Sequence, residues 1–263
     1  MVNEIKGKLV HRSQSEHGSI EIYDDVINRN LYLGSNARQS SMLLENSVVL
    51  VLDYTQALMS YLLFSKKVSS VLIIGLGGGS LVRFIHFHYP DCHIDVVENR
   101  DDVIKVALGY FQLPEADTIC IHHIDAKDYL SHNSRQYDAI IVDAFDDNGI
   151  APAVISEEFF SLCHERLQPD GVLSMNAWAS SKQTYKEVTG NICKAFRSVM
   201  RFPLQKHGNV VLLGMKSAYP KKWYKRLRLR ASELKVKTGV NFPGFLKEIV
   251  KHNTSFLGRV LSR

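Results

Sequence analysis

The segment Gly75-Leu-Gly77-Gly78-Gly79-Ser80 follows four apolar residues, Val71-Leu-Ile-Ile74, and leads into a helical stretch. Glycines at a strand-to-helix turn let the backbone approach a ligand and adopt positive φ, and the helix N-terminus beyond offers unpaired amides. The loop has no Gly-Lys-Ser/Thr, which argues against a triphosphate cradle. It departs from G-x-G-x-x-G, because Ser80 holds the third glycine position, and matches G-x-G-x-G at Gly75, Gly77 and Gly79. Glu98 ends the next apolar run, 21 residues after Gly77. At about that offset a carboxylate can accept both hydroxyls of a ribose. Together, in strand–loop–helix–strand order, loop and acid point to a nucleoside ligand. Asp125, past the third strand, is placed either to meet an adenine amino group or to cap the short helix after it, and the two roles are compatible.

A second acidic pattern, Asp143-Ala-Phe-Asp146-Asp147-Asn-Gly149, follows another apolar strand. Two carboxylates three residues apart at the sheet edge put negative charge over the reactive end of the ligand. If that end is a sulfonium, the carboxylates stabilise it and can hold an amine co-substrate. An amine must lose a proton to attack carbon, and a carboxylate within hydrogen-bond reach can accept it. Asp143 and Asp146 are read as functional, and Asp147, in an Asp-Asn-Gly turn signal, as turn chemistry.

Positioning these groups requires a layered α/β body. Apolar strands at 71–74, 94–97, 118–121, 139–142 and 172–175 alternate with helical stretches at 81–88, 101–111, 127–131 and from Ser156, with Glu157 and Glu158 in the first turn. Apolar strands alternating with helices imply a parallel sheet covered on both faces. Residues 182–196 and 209–215 read as a further helix and a closing strand. The N-terminal part alternates apolar and polar residues at 19–23 and 30–33 across a turn at 24–28, which predicts a β-hairpin, and a helix is predicted over 54–66. The fold class is a doubly wound, mostly parallel α/β sheet with a small N-terminal β element. The divisions expected are 1–50 (hairpin element), 51–216 (nucleoside-binding domain) and 217–263 (basic helical tail).

In a chain of 263 residues, 45% apolar and 22% charged content excludes a disordered or low-complexity protein. The net charge of +5 is unevenly placed. Residues 216–263 carry thirteen Lys/Arg against two Asp/Glu, and the rest of the chain nineteen against twenty-five. An acidic body with a basic tail is unlike a uniformly basic nucleic-acid binder. The tail could touch nucleic acid or anionic lipid, but a solvated helix lying on the body, with Phe242 and Phe245 as anchors, is the favoured reading and a nucleic-acid partner is disfavoured. The apolar stretch 47–64 is interrupted by Asp53 and Gln56, and residues 1–11 have no signal-peptide core. No membrane partner and a cytoplasmic location are expected. Cys92, Cys120, Cys163 and Cys193 are dispersed without a CxxC, which suggests neither a disulfide framework nor a zinc site. His86 and His88, two apart on a helix, and the neighbours His122 and His123 are unsuited to joint ligation. Cys163-His164 point apart on a helix, and Trp178 and Trp223 read as packing residues.

These patterns resemble the spermidine synthase (polyamine aminopropyltransferase) family, within the S-adenosylmethionine-dependent methyltransferase-like fold class. The likeness runs from about Lys8 to Met215. It includes the glycine loop, Val97-Glu98, Asp125, Tyr137-Asp-Ala-Ile-Ile-Val-Asp-Ala-Phe-Asp146 and Glu158-Phe-Phe with Leu167-Gln-Pro-Asp-Gly-Val-Leu173. The resemblance implies Glu98 on the ribose and Asp125 on adenine, with Ala126 beside it among the cofactor-binding residues. It implies Asp143 as the base for the attacking amine, Asp146 as the amine ligand, and Gln56 as a glutamine that helps close the site. Three positions depart from the family pattern. The aspartate of G-G-G-D-G-G, which holds the amino group of decarboxylated S-adenosylmethionine, is Gly78, where open backbone amides would suit a carboxylate. The tyrosine before Gln56 is Thr55, with Tyr54 one place away and counted among the substrate-binding residues. The Tyr-Pro-Ser-Gly loop is replaced by Arg201-Phe-Pro-Leu-Gln-Lys-His-Gly208.

The leading expectation is transfer of an aminopropyl group from decarboxylated S-adenosylmethionine to a small-molecule amine, with no metal required. A methyltransferase using intact S-adenosylmethionine is the alternative that Gly78 motivates. A catalytically silent nucleoside-binding protein is the second alternative, motivated by Thr55 and the altered loop. Family members commonly pair through the N-terminal part, which implies a possible homodimer.

Overall fold

The computed structural model describes residues 7–65, 67–146, 149–178, 181–204, 208–217 and 224–253. The N-terminal strands β1 (Lys8–Ser15), β2 (Gly18–Asp24), β3 (Asn28–Leu33) and β4 (Arg38–Leu43) form an antiparallel meander. The two strands expected from alternation are β2 and β3, so the element is a four-stranded sheet and not a hairpin. β1 is largely polar and exposed, and β4 buries Ser40 and Ser41, so neither strand shows an apolar alternation. Ile20, Ile22, Leu31 and Met42 pack on Val103, Val106 and Phe111 at the helix that follows Glu98. This packing seats the small sheet over the glycine loop.

Next come α1 (Asp53–Leu58) and a 3-10 turn, Met59–Leu63, in place of the single helix expected over 54–66. The α/β body then runs β5 (Ser70–Ile74), α2 (Ser80–His88), β6 (His93–Glu98), α3 (Asp101–Tyr110), β7 (Ile119–His123), α4 (Ala126–His132) and β8 (Tyr137–Val142). It continues through the short strands β9 (Phe145–Asp146) and β10 (Gly149–Ile150), then α5 (Glu157–Arg166), β11 (Leu167–Trp178), α6 (Lys182–Ala195), β12 (Ser198–Pro203) and β13 (Asn209–Met215). The Ser156 hydroxyl accepts the Phe159 amide and caps α5. The main sheet has the order β12-β13-β11-β8-β5-β6-β7. Neighbours from β11 through β7 are parallel, whereas β13 runs antiparallel to both β11 and β12. The closing strand is therefore reversed, and β12 is an additional edge strand.

β5 explains the two cores by itself. Val71 and Ile73 enter the layer formed with α1, the 3-10 turn and α2, and Leu72 and Ile74 enter the layer formed with α4, α5 and α6. The chain crosses from β5 to β6 on one side and reaches β8 on the other. The strand ends diverge there and leave a crevice.

The basic C-terminal segment forms α7 (Tyr224–Thr238) and α8 (Phe242–Asn253), joined at Gly239 with φ +77°. Both helices are part of the core. Ala231, Leu234, Phe242, Leu246 and Ile249 are buried in the layer that holds Val71 and Ile73. The Phe245 ring lies 5.9 Å from that of Phe202 on β12. The Asn253 amide pairs with both backbone groups of Arg201, accepting its N–H at 3.0 Å and donating to its carbonyl at 2.7 Å. Arg230 donates to the carbonyls of Leu62 and Ser65. Asp147 and Trp223 lie outside the described residues, as does the Trp178 side chain. No helix among the described residues is long and apolar enough to cross a membrane.

Truncating a fully buried ring removes transfer energy and leaves a cavity. Phe242→Ala is therefore expected to lower unfolding free energy by about 3–5 kcal/mol, measured by denaturant titration. A surface-laid tail would give almost no change.

Candidate active site

A cavity of about 590 Å³ occupies the crevice beyond the ends of β5, β6 and β8. Its floor is the glycine loop. Gly75 has φ +94°, and its amide donates to the Val97 carbonyl at 2.9 Å. A Cβ on Gly75 would lie 2.2 Å from the carbonyl oxygen of Asp143, so only glycine fits between β5 and β8. Gly77 (φ +51°) opens on the cavity, and Gly79 (φ +70°) caps α2 under Leu113.

Gly78 differs from its expected role. A Cβ there would meet Ser40 Oγ at 2.7 Å and Phe111 at 2.9 Å, and the residue is not on the cavity wall. The place a side chain would take is filled by β4 and the end of α3, so Gly78 is a packing glycine and not an open cradle for a carboxylate. Arg83, 4% exposed, ties this corner together. Its guanidinium donates to the carbonyls of Ser47 at 2.7 Å and Phe111 at 2.6 Å, and to that of Gly78. Burial lowers its pKa to about 10. The sequence carried no signal for this role beyond an arginine in an apolar helix.

Glu98, 9% exposed, lines the cavity. One carboxylate oxygen accepts the Leu76 amide and the other the Arg100 amide, each at 3.0 Å. These bonds join the glycine loop to the end of β6 and fix the carboxylate. Burial raises its pKa, and the backbone bonds oppose that shift. Asp125 and Ala126 are also on the wall. Asp125 Oδ1 caps α4 by accepting the amides of Lys127 (2.8 Å) and Asp128 (3.4 Å), so its capping role is realised at a cavity position.

Asp143 stands at the end of β8, its amide bonded to the Ile74 carbonyl at 2.9 Å. Its Oδ1 accepts from the Asn176 amide at 3.0 Å, and the Asn209 amide donates to Asn176 Oδ1 at 2.9 Å. The second bond fixes which end of the Asn176 amide faces Asp143. Tyr54, on α1, donates to the Gln39 carbonyl at 3.1 Å and also interacts with the Asp143 carboxylate. Burial pushes the Asp143 pKa up to about 6, against the hydrogen bonds from Asn176 and Tyr54. Burial and the neighbouring carboxylate hold the Tyr54 pKa well above its ordinary value, so the phenol remains a donor.

Gln56 is a correction. Its amide donates to the Leu50 carbonyl at 2.8 Å, and the cavity wall contains Gln39, Tyr54 and Thr55 instead. For Asp146 the backbone is described, paired with Gly149 in β9 and β10, and the side chain lies outside the described residues. The N-terminal sheet completes the enclosure. Glu16 and His17, at the β1–β2 turn, reach the wall, and Ser15 Oγ donates to Asp102 at the start of α3 at 2.6 Å. Among the described residues, four carboxylates, Glu16, Glu98, Asp125 and Asp143, line the cavity. The Arg100 guanidinium, also on the wall, is paired with Asp102 at 2.9 Å. The balance is negative and suits a cation.

The sheet order, the reversed β13 and a glycine loop facing a fixed carboxylate define the class: an α/β fold of the S-adenosylmethionine-dependent methyltransferase type. The profile of the spermine/spermidine synthase domain matches residues 45–208. A polyamine aminopropyltransferase of Chromobacterium violaceum is 36% identical over 244 residues, covering 92% of this chain and 93% of the relative. Among solved structures, a probable spermidine synthase from Corynebacterium glutamicum superposes with a TM-score of 0.73 at 18% identity, over 88% of this chain and 94% of that one. A spermidine synthase in complex with the transition-state analogue AdoDATO gives 0.69 at 19% identity, over 93% and 88%. At such identities the structures show the fold. The chain belongs to the spermine/spermidine synthase family.

Gly75→Ala is expected to lower stability by roughly 1–3 kcal/mol, because positive φ and a backbone clash coincide. It is also expected to abolish binding of methylthioadenosine in calorimetry. Binding at wild-type strength would contradict the geometry.

Proposed function

We propose that this transferase moves an aminopropyl group from decarboxylated S-adenosylmethionine to a polyamine, with Asp143 as the base. The amine nitrogen forms a bond to the propyl carbon next to sulfur, the carbon–sulfur bond breaks, and its electron pair leaves with methylthioadenosine. The proton lost by the amine goes to Asp143. Glu98 accepts the ribose hydroxyls, Asp125 takes the adenine amino group, and Asp146 anchors the amine.

Asp143 supports the assignment most strongly. It is a carboxylate on the cavity wall, oriented by Asn176, with a pKa of about 6. A base poised near the working pH combines the ionised form with useful proton affinity. The acidic lining favours a donor that bears both a sulfonium and an ammonium over one whose carboxylate offsets part of that charge. The methyltransferase alternative loses support where Gly78 is concerned, because Ser40 and Phe111 occupy the space above it.

Release of methylthioadenosine from the decarboxylated donor and a panel of di- and triamines tests the proposal. Turnover is expected, with kcat/KM falling as pH drops through about 6 and Asp143 becomes protonated. Asp143→Asn is expected to reduce kcat by about 10²–10⁴-fold. No product with any amine would overturn the proposal.

The same burial has a stability consequence. The folded pKa of Asp143 lies above an unfolded value of about 3.9, so its favourable contribution is present at low pH and is lost as pH rises through about 6. Relative to wild type, Asp143→Asn is expected to gain on the order of 1 kcal/mol as pH is raised from 5 to 8, measured by thermal unfolding.

A further inference from the structure

We infer that this chain carries a zinc-class metal site, formed by His93, Asp95 and Cys120 and separate from the nucleoside cavity. On β6, His93 and Asp95 are two residues apart and face the same side of the sheet. In the parallel register of β6 and β7, Asp95 is directly opposite Cys120. The imidazole nitrogen, carboxylate oxygen and sulfur all lie within 4.8 Å of one another. These residues are far from any metal-binding spacing in the sequence, and strand pairing alone brings them together.

Asp95 is 3% exposed, and its orientation is fixed from both sides. His122 Nε2 is 2.8 Å from Oδ1, and the Tyr137 hydroxyl donates to Oδ2 at 2.8 Å. Oδ2 faces His93 Nε2 at 3.2 Å. A ligating carboxylate held by outer hydrogen bonds in this way is pre-oriented for a metal. The Arg135 guanidinium stands 3.4 Å from Oδ2. That side chain is about half exposed, and its long stem lets the charge move to solvent when a metal takes its place.

The mixed nitrogen, oxygen and sulfur set selects zinc-class ions over magnesium or calcium, which prefer oxygen alone. Zinc bonds of about 2.0–2.3 Å place tetrahedral ligand atoms about 3.5 Å apart, so the His93 and Cys120 side chains close on the fixed carboxylate when the metal binds. Binding takes the thiolate of Cys120 and releases its proton to solvent. The site lies at the start of β6, and Glu98 at the other end of that strand lines the cavity. A metal here fastens the edge strand β7 to its neighbour, and β7 leads directly to Asp125.

The full chain, stripped with a chelator, is titrated with cobalt(II) as the spectroscopic probe, and zinc then competes for it. One cobalt per chain is expected, with a thiolate-to-cobalt charge-transfer band that Cys120→Ser removes and Cys193→Ser, at an exposed cysteine, retains. Zinc is expected to displace the cobalt and to raise the melting temperature of the wild type but not of Cys120→Ser. Tyr137→Phe is expected to weaken zinc about 10-fold or more. Far-UV circular dichroism and methylthioadenosine binding confirm that the variants are folded. No stoichiometric cobalt, or a band that survives Cys120→Ser, would overturn the inference without touching the proposed transfer reaction.

Discussion

At the point where β5 and β8 part, the backbone of Gly75 lies against the carbonyl of Asp143 with no room for a methyl group. Everything at the site is referred to that contact. It brings the glycine loop and the end of β8 to the same level, so the loop floors the cavity and Asp143 stands on its wall. The Leu76 amide, one residue on, is fixed to Glu98, and Arg83 secures the next turn through three backbone carbonyls. Loop geometry, sheet pairing and buried charge thus restrain each other.

Electrostatics then separates the two carboxylates that flank this junction. Glu98 receives two backbone amides, which oppose burial, although burial still raises its pKa. Asp143 receives side-chain donors, and burial raises its pKa to about 6. Glu98 is thus held by the backbone and Asp143 by side chains, at the ends of the two strands that flank the same loop. This division suits a reaction in which the donor is held and an amine loses a proton.

Local patterns in the sequence are sufficient for part of this arrangement. The apolar runs of β5, β6 and β8 alternate into two cores, and Gly75, Glu98, Asp125 and Asp143 follow directly from strand ends, so their placement on the cavity wall is readable from spacing. Other residues have no local signal. Asn176 and Asn209 meet Asp143 only because β11 pairs with β8 and the reversed β13 pairs with β11. Gln39 and Ser40 reach the site from a strand that buries two serines, and Gln56, one turn along α1, is drawn instead to the Leu50 carbonyl. The basic charge of the last helices concealed the apolar stripe of Ala231, Leu234, Phe242, Leu246 and Ile249 that makes them part of the core.

The central claim is that an acidic cavity floored by the glycine loop receives a doubly cationic adenosyl donor. Titration calorimetry of the same protein preparation with decarboxylated and with intact S-adenosylmethionine measures this most directly. The account predicts markedly tighter binding of the decarboxylated compound, with the difference shrinking as salt is raised. Tighter binding of the intact, carboxylated compound would contradict it.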